Sequence, residues 1–121
     1  MNYTSEITIE AQSVPGVRFT IARMSFGRRL ELTKRISAVA RKVEYLEAGG
    51  DDRERIEAAV LAGEIDRTYL EWGLRGVQGL KINGAEATPA DAIERGPEAL
   101  AREIAAAIKH ECGLSEEERK N

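Results

Sequence analysis

The sequence predicts an α+β fold that is mainly α, with an N-terminal β-hairpin packed on an antiparallel helix pair and further helices at the C-terminus. Two short N-terminal segments alternate apolar and polar residues, as half-buried strands do. Two long segments with helical apolar spacing follow, separated by a short glycine link. Helix-start residues then recur at Thr88 and Pro97. With 121 residues, we expect a single domain over residues 1–121.

The composition is that of a charged, helix-rich globular protein. Hydrophobic residues make up 42% of the chain and aromatic residues only 5%, so we expect a mainly aliphatic core. The net charge of −3 disfavours nucleic acid and anionic membranes as partners. The chain shows no apolar run of about 18 residues and no signal-peptide pattern, and its single Cys112 cannot form an internal disulfide. We therefore expect a cytoplasmic protein with no membrane partner.

The two N-terminal strands are predicted over residues 6–10 and 17–21. Ile7 and Ile9 share one side of the first strand, and Pro15 and Gly16 between the strands are turn residues. Because a lone hairpin is not stable in water, its apolar face must pack on helices or join strands of another subunit.

The first long helix is predicted from residue 26 to about residue 48, with Ser25 as its N-cap and glycines 49 and 50 as its end. Its apolar residues repeat at intervals of four and three, which suits lengthwise packing on another helix. They are Leu32, Ile36, Val39, Val43 and Leu46. A basic strip beside them contains Arg28, Lys34, Arg35, Arg41 and Lys42. This strip is interpreted as a solvated flank, with a docking strip for an acidic protein or a nucleic-acid patch as alternatives.

The second long helix is predicted over residues 52–73, with Asp52 as its N-cap, and the short link makes the two helices an antiparallel pair that forms the core. This helix is apolar on two sides, so both sides must be covered. We expect the first helix to meet the stripe formed by Ile56, Ala59, Val60, Gly63, Leu70 and Leu74. Gly63 lowers helix propensity by about 1 kcal/mol relative to Ala, and close approach of the facing helix is the expected reason.

The opposite stripe consists of Leu61, Ile65, Tyr69 and Trp72. It meets either another part of the chain or another protein. A tryptophan at a helix end is commonly a core residue, and tryptophan is also a favoured anchor of protein interfaces. Our hypothesis is that these four residues form the protein-binding or self-association surface, so that a homo-oligomer is an alternative to a foreign partner.

The remaining segments are shorter. Residues 72–79 are read as a glycine-loosened helix end, without the spacing of a dinucleotide-binding loop. Asn83 and Gly84 predict a tight turn between short extended pieces. Thr88 and Asp91 form a capping box for a helix that ends at Gly96. A last helix is predicted over residues 97–111, with Leu100, Ile104, Ala107 and Ile108 buried, followed by a final turn that Ser115 and Glu118 would cap.

No catalytic, cofactor-binding or metal-binding residues are predicted. His110, Glu111 and Cys112 are close in sequence, but residues two apart do not share a helix face and zinc needs four ligands. Cys112 is interpreted as a small apolar residue that fills a gap. We therefore expect a protein without enzymatic activity or cofactor.

Several short pieces of the chain resemble small proteins encoded in the tail gene clusters of long-tailed phages and prophages. These pieces are residues 19–35, 69–74, 79–84, 87–89, 96–98 and 113–121. The resemblance is to tail assembly chaperones or tail-associated proteins, and it covers most of the chain without one diagnostic motif. It implies a non-enzymatic, largely helical protein that binds the tape measure protein in the host cytoplasm, helps recruit tail-tube subunits and is absent from the finished virion. It assigns no binding residue.

Two other function classes stay open from the sequence. A small phage nucleic-acid-binding regulator would use the basic strip of the first helix, against the acidic net charge. A virion structural component, such as a head–tail joining protein, would be found in purified particles.

Overall fold

The structure is a computed structural model that describes residues 1–49 and 51–113. This part of the chain contains four helices and five short strands. In chain order they are β1 Glu6–Glu10, β2 Arg18–Ala22, α1 Phe26–Gly49, α2 Asp52–Gly73, β3 Leu74–Gln78, β4 Lys81–Ile82, β5 Ala85–Glu86, α3 Pro89–Arg95 and α4 Glu98–Glu111. The predicted α+β, mainly α class is confirmed. The turn predicted at Ser115 and Glu118 lies outside the described residues.

The N-terminal hairpin belongs to a three-stranded antiparallel sheet in the order β1-β2-β3. Ile7 lies opposite Ile21 and Ile9 opposite Phe19, while Gly16 takes a φ of 81° in the turn. The prediction that residues 74–78 form a loosened helix end is wrong, because they form β3 and pair with β2. Pairing supplies hydrogen bonds to the second edge of β2, and this tertiary gain outweighs the low strand propensity of glycine.

Three of the helices begin at a residue whose side chain accepts a hydrogen bond from the first turn. The Arg28 N–H donates to Ser25 Oγ at 3.2 Å, as predicted for α1. The cap of α2 is Asp51, one residue before the predicted Asp52, and its carboxylate accepts from Arg53 N–H at 3.3 Å. The predicted capping box of α3 is present, with the Asp91 N–H donating to Thr88 Oγ1 at 3.1 Å. Local capping chemistry therefore sets these helix starts to within one residue.

Helix α1 packs antiparallel along α2 through the predicted repeat. Leu32 and Val43 are buried and Ile36 and Val39 half-buried, while the side chain of Leu46 lies outside the described part. The expected partner stripe on α2 is wrong. Tyr69 of α2 lines a cavity together with Leu32 and Ile36 of α1. Helical spacing places four more buried or half-buried residues on the same side of α2, namely Ala58, Leu61, Ile65 and Trp72. Covering Tyr69 and Trp72 removes more apolar area from water than covering Val60 and Gly63 would.

The main core lies between the sheet, the C-terminal half of α2 and α4. The helix pair that was predicted to form the core contributes Leu32, Tyr69, Leu70 and Trp72 to it. Phe19 and Ile21 of β2 are fully buried there. On α4 the buried residues are Leu100, Ile104, Ala105 and Ile108, whereas Ala107 is only half-buried. In the first half of α2, Ile56 and Val60 are exposed, so one side of this half is uncovered.

Candidate protein-binding surface

A groove of about 400 Å³ runs between α2 on one side and α3 and α4 on the other. Five of its eleven lining residues are alanine or glycine, and Leu70 and Ile93 add larger apolar side chains. The lining residues are Ala59, Ala62, Gly63, Asp66, Arg67, Leu70, Ile93, Glu98, Ala101, Arg102 and Ala105. Small residues on both walls let the backbone of a bound chain approach closely. We refer to this feature as the α2–α4 groove.

Every charged residue that lines the groove has an ion-pair partner. Asp66 pairs with Lys109, and Glu98 with Arg102 at 3.0 Å. Arg67 pairs with Glu94, and its guanidinium also lies 3.8 Å from Glu64 and 3.6 Å from Glu71. The hydrogen bond and the charge of Glu94 raise the pKa of Arg67 above its usual value. Because these charged side chains are paired with one another, the part of the lining that is left to contact a ligand is apolar.

Gly63 faces this groove rather than α1. A Cβ placed on Gly63 would meet no atom within 4 Å. The predicted reason for this glycine, close approach of the facing helix, is therefore wrong. The space in front of Gly63 is open to an incoming group.

Two exposed aliphatic side chains extend the apolar surface from the groove towards the start of α2. Ile56 is 67% exposed and Val60 is 60% exposed, and both lie on the side of α2 that faces away from α1. Glu57 and Glu64 flank them on the same side at helical spacing. We call Ile56, Glu57, Val60 and Glu64 the α2 outer stripe.

The four residues predicted as the binding surface lie elsewhere. Tyr69 and Trp72 are only 1% and 5% exposed, and Leu61 and Ile65 are half-buried. The chain itself covers this stripe, so a partner cannot reach Tyr69 or Trp72 in this conformation. Periodicity showed that α2 has two apolar sides but could not show which one α1 would cover. The aromatic residues Tyr69 and Trp72 could have indicated which side α1 covers, since large side chains gain most from burial.

The chemically reactive side chains do not converge. His110 is exposed, whereas Cys112 is buried beside a cavity of about 170 Å³ that Met24, Leu32 and Tyr69 help to line. Burial raises the pKa of the Cys112 thiol to about 11, so the thiol is protonated at neutral pH. Within residues 1–49 and 51–113, no group of three or more His, Cys, Asp or Glu side chains could hold a metal ion.

The basic strip of α1 divides into anchored and free residues. Arg28 Nη1 donates to the carbonyl oxygens of Ser5 and Arg23 at 2.8 Å, and Arg35 pairs with Glu31 at 2.8 Å. Lys34, Arg41 and Lys42 are exposed and form no ion pair within the described part of the chain. Arg28 thus ties α1 to the segments on either side of the β-hairpin, and only the free cations are available to an acidic partner.

Comparison with protein-family models, with curated proteins and with solved structures finds no match to this chain. Among the helices in the described ranges, none combines the length and the hydropathy needed to span a membrane.

Proposed function

We propose that this protein is a non-enzymatic phage tail assembly chaperone that holds a helical segment of the tape measure protein in its α2–α4 groove. In this role it works in the host cytoplasm and keeps the tape measure protein available while tail-tube subunits assemble. The observation that carries the proposal is the open groove with small-residue walls. The resemblance of the chain to tail-cluster proteins supports the choice of partner.

The chemistry of the groove favours a helix over a small polar ligand. Small-molecule sites orient their ligands with a few convergent polar groups, and here the charged lining residues are already paired. An amphipathic helix needs only an apolar groove, which it enters with residues spaced three and four apart. The small residues Gly63 and Ala101 let such a helix lie close to both walls.

The groove can be blocked without disturbing the core. In Gly63→Phe, a ring would occupy the open space in front of α2. Gly27→Phe is the matched control, because Gly27 is also a helical glycine whose Cβ would meet no atom within 4 Å, and it lies on α1, away from the groove. The parent and both variants would be purified alone and titrated with a separately purified tape measure fragment by isothermal titration calorimetry.

We expect Gly63→Phe to weaken binding at least tenfold and Gly27→Phe to bind as the parent does, with both variants folded by circular dichroism. Equal binding by all three proteins would contradict the groove as the site. Failure of the parent to bind any tape measure fragment would contradict the chaperone proposal itself. Mass spectrometry of purified particles separates this role from that of a virion component, which would be present in stoichiometric amounts.

A further inference from the structure

Strand β1 lies at the edge of the three-stranded sheet. The strand order is β1-β2-β3, so within residues 1–49 and 51–113 the side of β1 that faces away from β2 pairs with no strand. An edge of this kind presents a row of backbone N–H and C=O groups to which another extended chain can add as a further strand.

Every second residue of β1 directs its backbone groups to this open edge. Just before β1, the Ser5 carbonyl oxygen accepts from the Arg23 N–H at 2.9 Å, and just after it the Ala11 N–H donates to the Val17 carbonyl oxygen. In an antiparallel pair, residues that bond to the neighbouring strand alternate with residues that do not. The odd-numbered residues therefore bond to β2. The residues whose N–H and C=O groups point outward are Glu6, Thr8 and Glu10.

Side chains from two helices hold both ends of β1. At its start, Arg28 Nη1 of α1 donates to the Ser5 carbonyl oxygen at 2.8 Å. Beyond its end, Glu103 of α4 accepts from the Gln12 N–H at 2.8 Å and from the Ser13 N–H at 2.9 Å. The edge is therefore ordered before anything binds, which lowers the entropic cost of adding a chain to it.

The inner face of β1 is only partly covered. Ile7 and Ile9 pack against the core but stay half-buried, whereas their partners on β2, Ile21 and Phe19, are fully buried. Strand β2 has a strand on each side, and β1 has β2 alone. Aliphatic side chains of a further strand would cover the open flank of both β1 isoleucines.

The outer face of β1 carries two carboxylates. Glu6 and Glu10 are exposed and form no ion pair within the described residues, although Arg18 of β2 lies opposite Glu10. Thr8 lies between them, and its hydroxyl shares a hydrogen bond of 2.8 Å with that of Thr20. Because opposite charges on neighbouring strands stabilise a sheet, a chain beside β1 gains from cations at the spacing of the two glutamates.

We propose that the open edge of β1 binds an extended basic segment of a partner protein, which adds to the sheet as a fourth strand. The segment alternates aliphatic residues, which cover Ile7 and Ile9, with polar residues, of which lysine or arginine lies beside Glu6 and Glu10. Backbone hydrogen bonds supply the affinity and the two carboxylates supply the selectivity. No residue that lines the α2–α4 groove belongs to β1, so this surface is separate from the groove.

The same charges disfavour a second copy of this chain at the edge. Two β1 strands that pair antiparallel about Thr8 place Glu6 of each copy opposite Glu10 of the other. Like charges directly opposite each other destabilise a strand pair. Charged edge strands prevent unselective pairing in this way, and the sign of the charge on β1 leaves a basic segment as the favoured partner.

Synthetic peptides test this edge without any tape measure fragment. The probe is the blocked peptide Thr-Val-Lys-Val-Thr-Val-Lys-Val-Thr, and its matched control has glutamate in place of both lysines. NMR titration of isotopically labelled protein would give the dissociation constants, and amide hydrogen exchange would identify the residues that become bonded. We expect the lysine peptide to bind about tenfold or more tightly than the glutamate peptide. It should slow exchange at Glu6, Thr8 and Glu10 more than at Ile7 and Ile9, which already bond to β2.

Substitutions in β1 locate the contact. Thr8→Pro removes one outward N–H and no backbone bond to β2, and edge strands accept proline at such positions. Thr8→Val is the matched control, because it keeps that N–H and also lacks the hydroxyl that bonds to Thr20. We expect Thr8→Pro to weaken binding of the lysine peptide about tenfold or more, and Thr8→Val to bind as the parent does. A double variant with Glu6→Lys and Glu10→Lys should prefer the glutamate peptide.

Three results would overturn the proposal. One is a parent that binds neither peptide or binds both equally. Another is slowed exchange that does not alternate along β1, since that pattern shows a contact other than strand addition. The third is slowed exchange at the outward amides without peptide, since it shows pairing with a second copy. Should Thr8→Pro fail to fold, the double variant decides the matter, and an unchanged peptide preference there would contradict the role of the two glutamates.

Discussion

The two glycines of α2, Gly63 and Gly73, have opposite surroundings and should respond oppositely to the same substitution. A Cβ at Gly63 meets open space, so Gly63→Ala should raise the free energy of unfolding by about 1 kcal/mol through helix propensity. A Cβ at Gly73 would lie 2.9 Å from Cδ1 and Cγ2 of Ile108, so Gly73→Ala should lower that free energy by about 1–3 kcal/mol through overpacking. Urea unfolding of both variants measures the two changes.

A stabilised Gly73→Ala would show that Ile108 gives way without cost. A destabilised Gly63→Ala would show that the space in front of α2 is occupied in solution. The sequence identified Gly63 as unusual because a glycine inside a helix lowers helix propensity. It could not give the reason, since the neighbour of a glycine depends on which helix covers that side.

Cys112 should make the folded protein sensitive to alkaline pH. Burial raises the pKa of its thiol from 9.0 to about 11, so folding favours the protonated form. The resulting stability is complete below pH 9 and is lost as the pH rises towards 11. We expect the free energy of unfolding of the parent to fall more steeply between these pH values than that of Cys112→Ala, measured by urea unfolding across the range. Parallel curves for the two proteins would show that the thiol ionises as easily folded as unfolded.

At the scale of elements, the turn after β1 is tied to α4 by one carboxylate. Glu103 accepts hydrogen bonds from the Gln12 N–H at 2.8 Å, the Ser13 N–H at 2.9 Å and the Ser13 hydroxyl at 2.6 Å. Burial acts to raise the pKa of Glu103, but these hydrogen bonds outweigh it and hold that pKa below its usual value. This contribution to stability is present above pH 4.5 and is lost as the pH falls through the lowered pKa.

Glu103→Gln should therefore remove an acid-dependent part of the stability. We expect the parent and this variant to converge in unfolding free energy as the pH is lowered from 6 to 3, with the parent the more stable at pH 6. Hydrogen exchange at Gln12 and Ser13 should be faster in the variant at pH 6. Unchanged exchange at these two amides would mean that the turn is held by its own backbone.

The contact between α1 and α2 can be tested with two adjacent positions. Val39 is half-buried towards α2, and Val39→Asp should lower the free energy of unfolding by on the order of 3 kcal/mol, because an unpaired charge would enter the contact. Ala38→Asp adds the same charge at an exposed position and should have an effect within about 0.5 kcal/mol. Thermal unfolding in dilute solution compares them, and equal melting temperatures would contradict the packing of this helix pair.

The elements that the sequence predicted well are those defined by neighbours along the chain. Ser25 and Thr88 mark helix starts by their own hydrogen bonds, and Gly16 marks the turn between β1 and β2. Strand β3 was missed because its hydrogen bonds go to β2, far away in sequence, and its glycine conceals the strand pattern. The candidate groove was missed for a related reason, since its walls come from α2 and α4 and no single segment shows it.

For the molecule as a whole, Trp72 belongs to the junction of the helix pair with the main core. Trp72→Ala should lower the free energy of unfolding by about 3–5 kcal/mol, as removal of a buried aromatic side chain does. Val60→Ala on the same helix removes an exposed side chain and should change it by less than about 0.5 kcal/mol. Differential scanning calorimetry on dilute samples provides the comparison. A small effect of Trp72→Ala on stability, accompanied by loss of partner binding, would show that Trp72 belongs to the binding surface predicted from the sequence.

The hydrogen bonds between Glu103 and the turn at Ser13 join residues that the ribosome makes far apart in time. The two residues are 90 positions apart, and ribosomes add about 5–20 residues per second. Ser13 is therefore synthesised roughly 5–18 s before the glutamate that anchors its turn. During that interval the helix pair can form, because its contacts are local. Phe19 and Ile21 cannot yet pack against α4, because α4 has not been synthesised. The nascent chain thus passes through a stage in which the apolar face of its first sheet is uncovered, and slow translation of residues 98–111 would lengthen it.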